Sequence, residues 1–348
     1  MGKTDTDAPE LKAEITKQFG RAPSQLERIP AGLGHRHFFR VHFEDGHRPQ
    51  SVIARIEPSG TRLDLAGQEP ALEPIRAFLE EAGLPVPRSH ADGEHIQLLE
   101  DLGDESLEKL ALRVGPSHAS EYYAEACALI PRLQNLTPPS TDHVEAFHRQ
   151  WDRDLVASKA QKWLDWSFPL IQGRPAEAAE RKALSQAFDS IAERCRKAPL
   201  RLAHRDFKAA NLHRRPDSKE NEWVMIDLQG AFLAPPEYDL VCLLRDAHVA
   251  LPESQVDTHL REIRLELPDR PDEESFMDRF DLITLTRVSK DLSHYLHAAT
   301  HRGDRRYLAY VPQALLNLKT AARRLTAPGS DLSPLLEAIE TLPARVEV

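Results

Sequence analysis

The spacing of apolar residues changes character about a third of the way along the chain. Residues 38–41 and 52–56 are rich in aromatic and β-branched side chains, and Glu44-Asp45-Gly46 between them supplies turn chemistry, so the pair predicts a β-hairpin. Leu72, Ile75, Phe78, Leu79 and Ala82 then share one helical face, in a helix that should stop at Gly83, just before Leu84-Pro85-Val86-Pro87. A short strand at 96–99 runs into Glu100-Asp101-Leu102-Gly103. Beyond Gly103 the period lengthens: Tyr122, Ala126, Leu129, Ile130 and Leu133 have helical spacing, as do the stretches 147–166 and 176–196. Two short apolar runs, 200–203 and 223–226, interrupt the helices around a polar turn at 216–221, and helical patterns resume at Asp239. The chain therefore predicts an α+β fold. A strand-rich domain with one prominent helix spans 1–102, and a larger, mainly helical domain spans 103–348.

A chain of 348 residues exceeds the usual span of one hydrophobic core, which supports two domains with a cleft as the default site. Its 41% apolar and 29% charged residues exclude a disordered chain. A net charge of −10 argues against nucleic acid or anionic membrane as main partners, since both select basic surfaces. Cys127, Cys195 and Cys242 lack paired spacing, so neither a disulfide framework nor a thiolate metal site is expected. The first twenty residues are polar, and no run approaches the roughly 18 apolar residues of a membrane span, so a cytoplasmic protein is expected.

The sharpest chemical signal is His204-Arg205-Asp206-Phe207-Lys208-Ala209-Ala210-Asn211, followed by Trp223-Val224-Met225-Ile226-Asp227. Phosphoryl transfer needs metal ions against the β- and γ-phosphates and a carboxylate that orients the attacking hydroxyl and accepts its proton. Asp206 suits the carboxylate role. Asn211 and Asp227 suit Mg2+, which favours an amide oxygen, few carboxylates, water and phosphate oxygens. The alternative is that His204, Asp206 and Asp227 only cap local turns.

These residues resemble the aminoglycoside phosphotransferase and choline kinase superfamily, relatives of the protein kinases. The resemblance spans nearly the whole chain and implies a two-lobed, protein-kinase-like fold with ATP as co-substrate. His204, Asp206 and Asn211 match the family's HxDxxxxN, and Asp227 its metal-binding Asp. Pro235-Pro236-Glu237-Tyr238-Asp239-Leu240 is similar to its PxxYDL signature, which implies structural roles for Asp239 and His204. HRHFFRV, LLEDLGDESL, IDLQGA, YDLVCLLRD and HRGDRRYLAYVP look most like the bacterial kinases of cell-wall recycling that phosphorylate N-acetylmuramate or N-acetylglucosamine at C1. The chain departs from that pattern at Lys208, Gly230 and Gly303-Asp304.

The resemblance further implies Arg55 on the nucleotide phosphates, with Glu69 or Glu73 as its acidic partner. It implies adenine contacts from the backbone near Glu100 and Leu102. Gly34, in Gly32-Leu33-Gly34, either lets backbone N–H groups approach phosphate or is an ordinary loop glycine. Lys208 either offsets charge on the transferring phosphoryl group or is a solvated loop lysine. His294, His297 and His301 share a helical face without acidic or cysteine companions, which disfavours a metal site. Arg287, His294, Arg302 and Asp304 are instead expected to line an acceptor pocket, where a cation suits a sugar carboxylate. Trp151, Trp163 and Trp166 read as core more readily than as a sugar platform.

A protein kinase is disfavoured because the short interval between Asp227 and Pro236 leaves no room for an activation segment. A nucleotide-binding module without catalysis is disfavoured because the trio Asp206, Asn211 and Asp227 is intact. The expected activity is magnesium-dependent transfer of a γ-phosphate to a small-molecule hydroxyl, with a sugar favoured over an aminoglycoside or a choline-like alcohol.

Overall fold

The computed structural model describes residues 7–30, 36–44, 46, 48–57, 70–93, 95–141, 143–215, 222–325, 329–344 and 346. β1 (Gln25–Ile29), β2 (His37–His42), β3 (Ser51–Ile56), β4 (Ser89–Asp92) and β5 (Ile96–Glu100) form one antiparallel sheet in the order β1-β2-β3-β5-β4. The three expected strands are its centre. The two edge strands, QLERI and SHAD, are polar and have no buried residue, so apolar alternation does not mark them.

A helix at Asp7–Phe19, absent from the sequence expectation, lays Leu11 and Ile15, both fully buried, into one core with Val41, Val52, Ala54 and Leu98. Each such side chain contributes about 1.5–3 kcal/mol by leaving water. The helix Leu72–Glu81 ends as its sequence predicts. Gly83 takes φ +75°, and its N–H reaches the Glu80 carbonyl (3.0 Å) while Leu84 N–H reaches Leu79 (2.9 Å), which satisfies two terminal carbonyls.

Four further short strands follow: β6 (Arg201–Ala203), β7 (Leu212–Arg214), β8 (Trp223–Met225) and β9 (Phe232–Ala234). The apolar runs at 200–203 and 223–226 are not each other's partners, because β6 pairs with β9 and β7 with β8. The chain divides into two compact units, residues 1–105 with 213–229, and residues 106–212 with 230–348. A division at 102/103 would assign the β7–β8 hairpin to the second. It is tied to the first unit by Met225 N–H on the Pro85 carbonyl (2.9 Å) and by Arg215, whose guanidinium holds the Glu100 carboxylate (2.9 and 3.2 Å) and the Val86 carbonyl (2.9 Å).

The second unit is mainly helical. At its centre runs the 29-residue helix Glu273–His301, opened by the Asp272 carboxylate on the Ser275 N–H (2.9 Å) and buried through Phe276, Phe280, Ile283, Leu285, Leu292 and Leu296. Trp151 and Trp163 belong to the core of this unit, whereas Trp166 is half-exposed with its ring 4.2 Å from that of His297. Among the described residues no helix is long and apolar enough to cross a membrane, and all three cysteines are free and buried.

Candidate active site

The loop after β6 carries the HxDxxxxN residues, and Asp239 builds its first turn. Asp239 is buried and accepts the backbone N–H groups of His204 (2.7 Å) and Arg205 (3.0 Å). Arg205 sits at φ +79°, a left-handed conformation that costs a non-glycine residue about 1 kcal/mol or more. The two bonds from Asp239 hold it there. Cys242 Sγ donates to the Arg205 carbonyl (3.2 Å), and the buried His204 ring stands edge-on to Phe207.

Beyond that turn the loop closes on itself. Lys208 N–H donates to the Asp206 carbonyl (2.8 Å), and Asn211 N–H to the Lys208 carbonyl (2.9 Å). Asn211 Nδ2 also donates to the Asp206 carbonyl (2.8 Å). That bond fixes the amide flip and turns Oδ1, the atom a hard cation would use, the other way.

Asp206 is 32% exposed and therefore accessible to an acceptor. Its Oδ1 receives Arg287 Nη2 at 2.9 Å. Burial works to raise the Asp206 carboxyl pKa, but Arg287, then Lys208, Lys290 and Arg205, outweigh it and hold the group far below the ordinary carboxylate range. Burial likewise opposes the Lys208 ammonium, yet Asp206 and Asp291 outweigh it and raise that amine. The neighbouring cations meet the opposite balance: burial and then Arg287 push Lys290 down to about 8 and Lys159 down to about 7.

In the first unit Asp227 follows β8 at φ +65°, exposed, with Gln229 Nε2 donating to its Oδ1 at 2.6 Å. Arg55 is buried on β3 and binds the Gln97 side-chain carbonyl and Glu57 (2.7 Å). Glu73 does not pair with Arg55: both its oxygens lie on Arg76 (2.8 and 2.7 Å), three residues away on the same helix, where an ion pair forms most easily. The Glu100 carboxylate is engaged by Arg215 and the Arg88 N–H (3.0 Å), its own backbone N–H donates to the Arg88 carbonyl (2.8 Å), and Leu102 is buried. Asp101 caps the next turn through the Gly103 N–H (2.9 Å) and also binds Arg40 (2.8 Å) and Ser51 (2.7 Å). Gly34 and Glu69 lie outside the described residues.

The four residues expected at the acceptor part company. Arg287 is buried against Asp206 and Asp291. Asp304 caps the turn at Arg305–Tyr310 through the Arg306 N–H (3.2 Å) and holds the Arg306 guanidinium (2.9 and 2.7 Å). His294 lies against Lys162 (3.4 Å) and Trp166, where burial and then Lys290 push its imidazole down to about 3. Arg302 is exposed at the end of the long helix.

A polar group that the sequence did not suggest lies in the same unit as the loop from His204 to Asn211. Glu108, Asp246 and His248 bring carboxylate and imidazole atoms within 4.8 Å of one another. Asp246 Oδ1 meets His248 Nδ1 at 2.6 Å, while its buried Oδ2 has no hydrogen-bond partner among the described residues. Burial raises the Glu108 carboxyl, and Lys208 acts electrostatically on Glu108, Asp246 and His248 alike. The Tyr310 ring stands 3.9 Å from that of His248. Asp246 and His248 are two positions apart in the chain, but Glu108 lies far upstream and nothing in its surroundings marks it.

N-acetylmuramate/N-acetylglucosamine kinase from Pseudomonas aeruginosa is 27% identical over 358 aligned positions, covering 99% of this chain and 96% of that protein. Among solved structures, Plasmodium vivax ethanolamine kinase matches with a TM-score of 0.62 at 10% identity, over 92% of this chain and 89% of that one. The ADP-bound aminoglycoside phosphotransferase APH(2'')-Ib matches with a TM-score of 0.56 at 14% identity, over 89% of this chain and 97% of that one. These likenesses establish the two-lobed, kinase-like α+β fold. Residues 25–274 match the model of the phosphotransferase enzyme family, and the chain belongs to that family as a phosphotransferase.

Proposed function

We propose that this enzyme transfers the γ-phosphate of ATP to a hydroxyl of an amino sugar, with the anomeric C1 hydroxyl of N-acetylmuramate or N-acetylglucosamine as the acceptor. The observation that carries the chemistry is the accessible Asp206 carboxylate, clasped by Arg287, on a loop whose backbone is held by Asp239. The amino sugar is supported by the names of the curated relatives, which are 24–27% identical. It is supported as well by a carboxylate-rich, tyrosine-flanked group at Glu108, Asp246 and His248, since sugar hydroxyls pair with carboxylates and sugar faces lie on aromatic rings.

Asp206 accepts a hydrogen bond from the acceptor hydroxyl and aligns it for in-line attack. A carboxylate held this low is a weak base toward an intact alcohol. The proton therefore moves late, as the new O–P bond forms, the β,γ-bridging P–O bond breaks and ADP departs with the electron pair. Lys208 offsets the charge spread over the transferring phosphoryl oxygens. Asn211, through its oriented Oδ1, and Asp227, through its exposed carboxylate, have the donor chemistry Mg2+ requires. The ion, when bound, would supply charge neutralisation at the β- and γ-phosphates. Arg55 contributes a further cation on the nucleotide side.

The test is Mg2+-ATP turnover against amino sugars, aminoglycosides and amino alcohols, with products examined for sugar-1-phosphate. Asp206→Asn should lower kcat by about 10²–10⁴-fold with little change in nucleotide affinity. Turnover of an aminoglycoside or an amino alcohol in preference to every sugar would displace the acceptor assignment, and near-normal kcat in Asp206→Asn would displace the role of Asp206.

A further inference from the structure

The geometry points to Arg287 as a positioning residue for phosphoryl transfer: by clasping Asp206 Oδ1 it orients that carboxylate so that Oδ2 is the oxygen that receives the acceptor's proton. This rests on the role proposed for Asp206 and adds to it which oxygen works and what aims it.

Arg287 is 3% exposed in the middle of the helix Glu273–His301, where an unpaired guanidinium would be strongly unfavourable. Three directed contacts satisfy it: Nη2 to Asp206 Oδ1 (2.9 Å), Nη1 to Asp291 Oδ1 (2.7 Å) and Nε to Cys242 Sγ (3.3 Å). A guanidinium is a rigid plane, so three partners on three sides fix its orientation, and the plane in turn fixes the carboxylate bound to it. Asp291, one helical turn further on and itself bound to Lys290 (3.3 Å), anchors the far side. Cys242, which receives Nε, also donates to the Arg205 carbonyl, so the same group of side chains grips both the loop's backbone and its carboxylate.

The second oxygen of Asp206 has a different surrounding. Gly230 faces it: a Cβ there would stand 3.7 Å from Oδ2 and 3.6 Å from Arg205 Cδ. The glycine thus leaves Oδ2 uncovered, and no described side chain hydrogen-bonds it. With Oδ1 clasped and Oδ2 open, the hydroxyl proton passes to Oδ2 as the O–P bond forms and the bridging P–O bond to ADP breaks.

The charges facing Asp206 come from every element packed around it. Its own loop contributes Arg205 and Lys208. The helix Glu273–His301 contributes Arg287, Lys290 and Asp291, and the helix Tyr238–Leu244 contributes Tyr238, Asp239 and Cys242. Arg287 is the strongest of the cations that keep the carboxyl low, against the burial that would raise it.

The experiment compares Arg287→Met, Arg287→Lys and Asp206→Asn with the parent enzyme. It measures kcat, the KM for acceptor and for ATP, and the melting temperature, using Mg2+-ATP and the best acceptor of the panel above. Arg287→Met should lose about 100-fold in kcat, the cost of an ångström-scale misplacement, with both KM values unchanged. Arg287→Lys keeps the charge without the fork, so it should restore part of that kcat but not all of it. A folded Arg287→Met enzyme with parental kcat overturns the proposal. So does one altered only in acceptor KM, which would make Arg287 a substrate contact. If Arg287→Met does not fold, Asp291→Asn tests the same clasp: a several-fold lower kcat with unchanged KM values supports it, and an unchanged kcat overturns it. Asp206→Asn separates the two levels. Turnover retained there removes the role of Asp206 itself, whereas an inactive Asp206→Asn beside a parental Arg287→Met removes only the positioning role.

Discussion

Replacing Asp239 by Asn should leave the protein folded at neutral pH, disable catalysis, and reverse the usual expectation for how the damage varies with pH. Two opposing magnitudes decide this. Counting hydrogen bonds alone, Asn keeps an acceptor for one of the two N–H groups of His204 and Arg205 but turns its NH2 toward the other, which forfeits a charge-assisted bond of about 1.5–3 kcal/mol. Against this stands the burial of a carboxylate, which raises the Asp239 pKa from 3.8 to about 6 despite the favourable charge of His204 and both backbone bonds. At about 1.4 kcal/mol per pH unit, that shift means the ionised form is carried at a cost of about 3 kcal/mol, which a neutral amide avoids. The two terms nearly cancel at pH 7.5.

The sign with pH follows from proton counting. Between 3.8 and about 6 the folded state holds a proton on Asp239 that the unfolded state has released, so this group's contribution to stability is greatest at low pH and falls as pH rises through that window. Asn has no such term. The Asn variant should therefore be within about 2 kcal/mol of the parent at pH 7.5 but lose about a further 2 kcal/mol relative to it near pH 4.5. Urea unfolding of both proteins at the two pH values measures the difference. Other buried acids, such as Asp281, titrate in both proteins and cancel. Asp239→Ala, which deletes both acceptors, should cost about 2–5 kcal/mol at neutral pH. In the Asn variant kcat should fall by about 100-fold, because Arg205 at φ +79° is no longer held by two acceptors and the loop that carries Asp206 shifts. A stability difference that is constant with pH, or that shrinks toward acid, would refute the assignment of Asp239 as a buried carboxylate under strain. Parental kcat would refute its role in shaping the loop.

Two further expectations concern ligands. Asp227→Ala should abolish Mg2+-dependent turnover, and Asn211→Ala should raise the Mg2+ concentration for half-maximal rate by about 10-fold, since an amide is the weaker ligand; Mg2+ titrations in which either variant matches the parent would remove that residue from the metal. Asp246→Asn and Glu108→Gln should each raise the acceptor KM by about 10-fold with ATP KM unchanged, as expected when a carboxylate loses its hydrogen-bonded hydroxyl; equal effects on both KM values would show that the group of Glu108, Asp246 and His248 does not face the acceptor.

What was legible in the chain was whatever depends on neighbours in sequence. The helix ending at Gly83, the central strands and the loop from His204 to Asn211 are each specified by residues within a few positions of one another. The missed elements lack a local signal for identifiable reasons. β1 and β4 are polar edges, and among the described side chains of the helix Asp7–Phe19 only Leu11 and Ile15 turn fully inward. The β6–β9 pairing depends on which of several short strands meet in space, and three residues per strand carry too little pattern to choose a partner.

The electrostatic frame of Asp206 is the clearest instance of information that periodicity cannot hold. Arg287 was recognisable as a cation suited to an anion, and the anion it meets is Asp206, 81 residues earlier. Nothing in either neighbourhood could choose between that carboxylate and one on an acceptor, because an Arg fork fits both equally well. The choice is made by burial. A guanidinium in the interior of a helix packed on all sides must find partners that fold with it, since a ligand that comes and goes would leave the charge stranded for part of every turnover. The same reasoning explains why Asp239 could be read as structural from its PxxYDL setting while its pKa could not. Its two acceptor bonds follow from the turn it closes, but the energy of keeping it ionised depends on how completely the helices of the second unit exclude water from it.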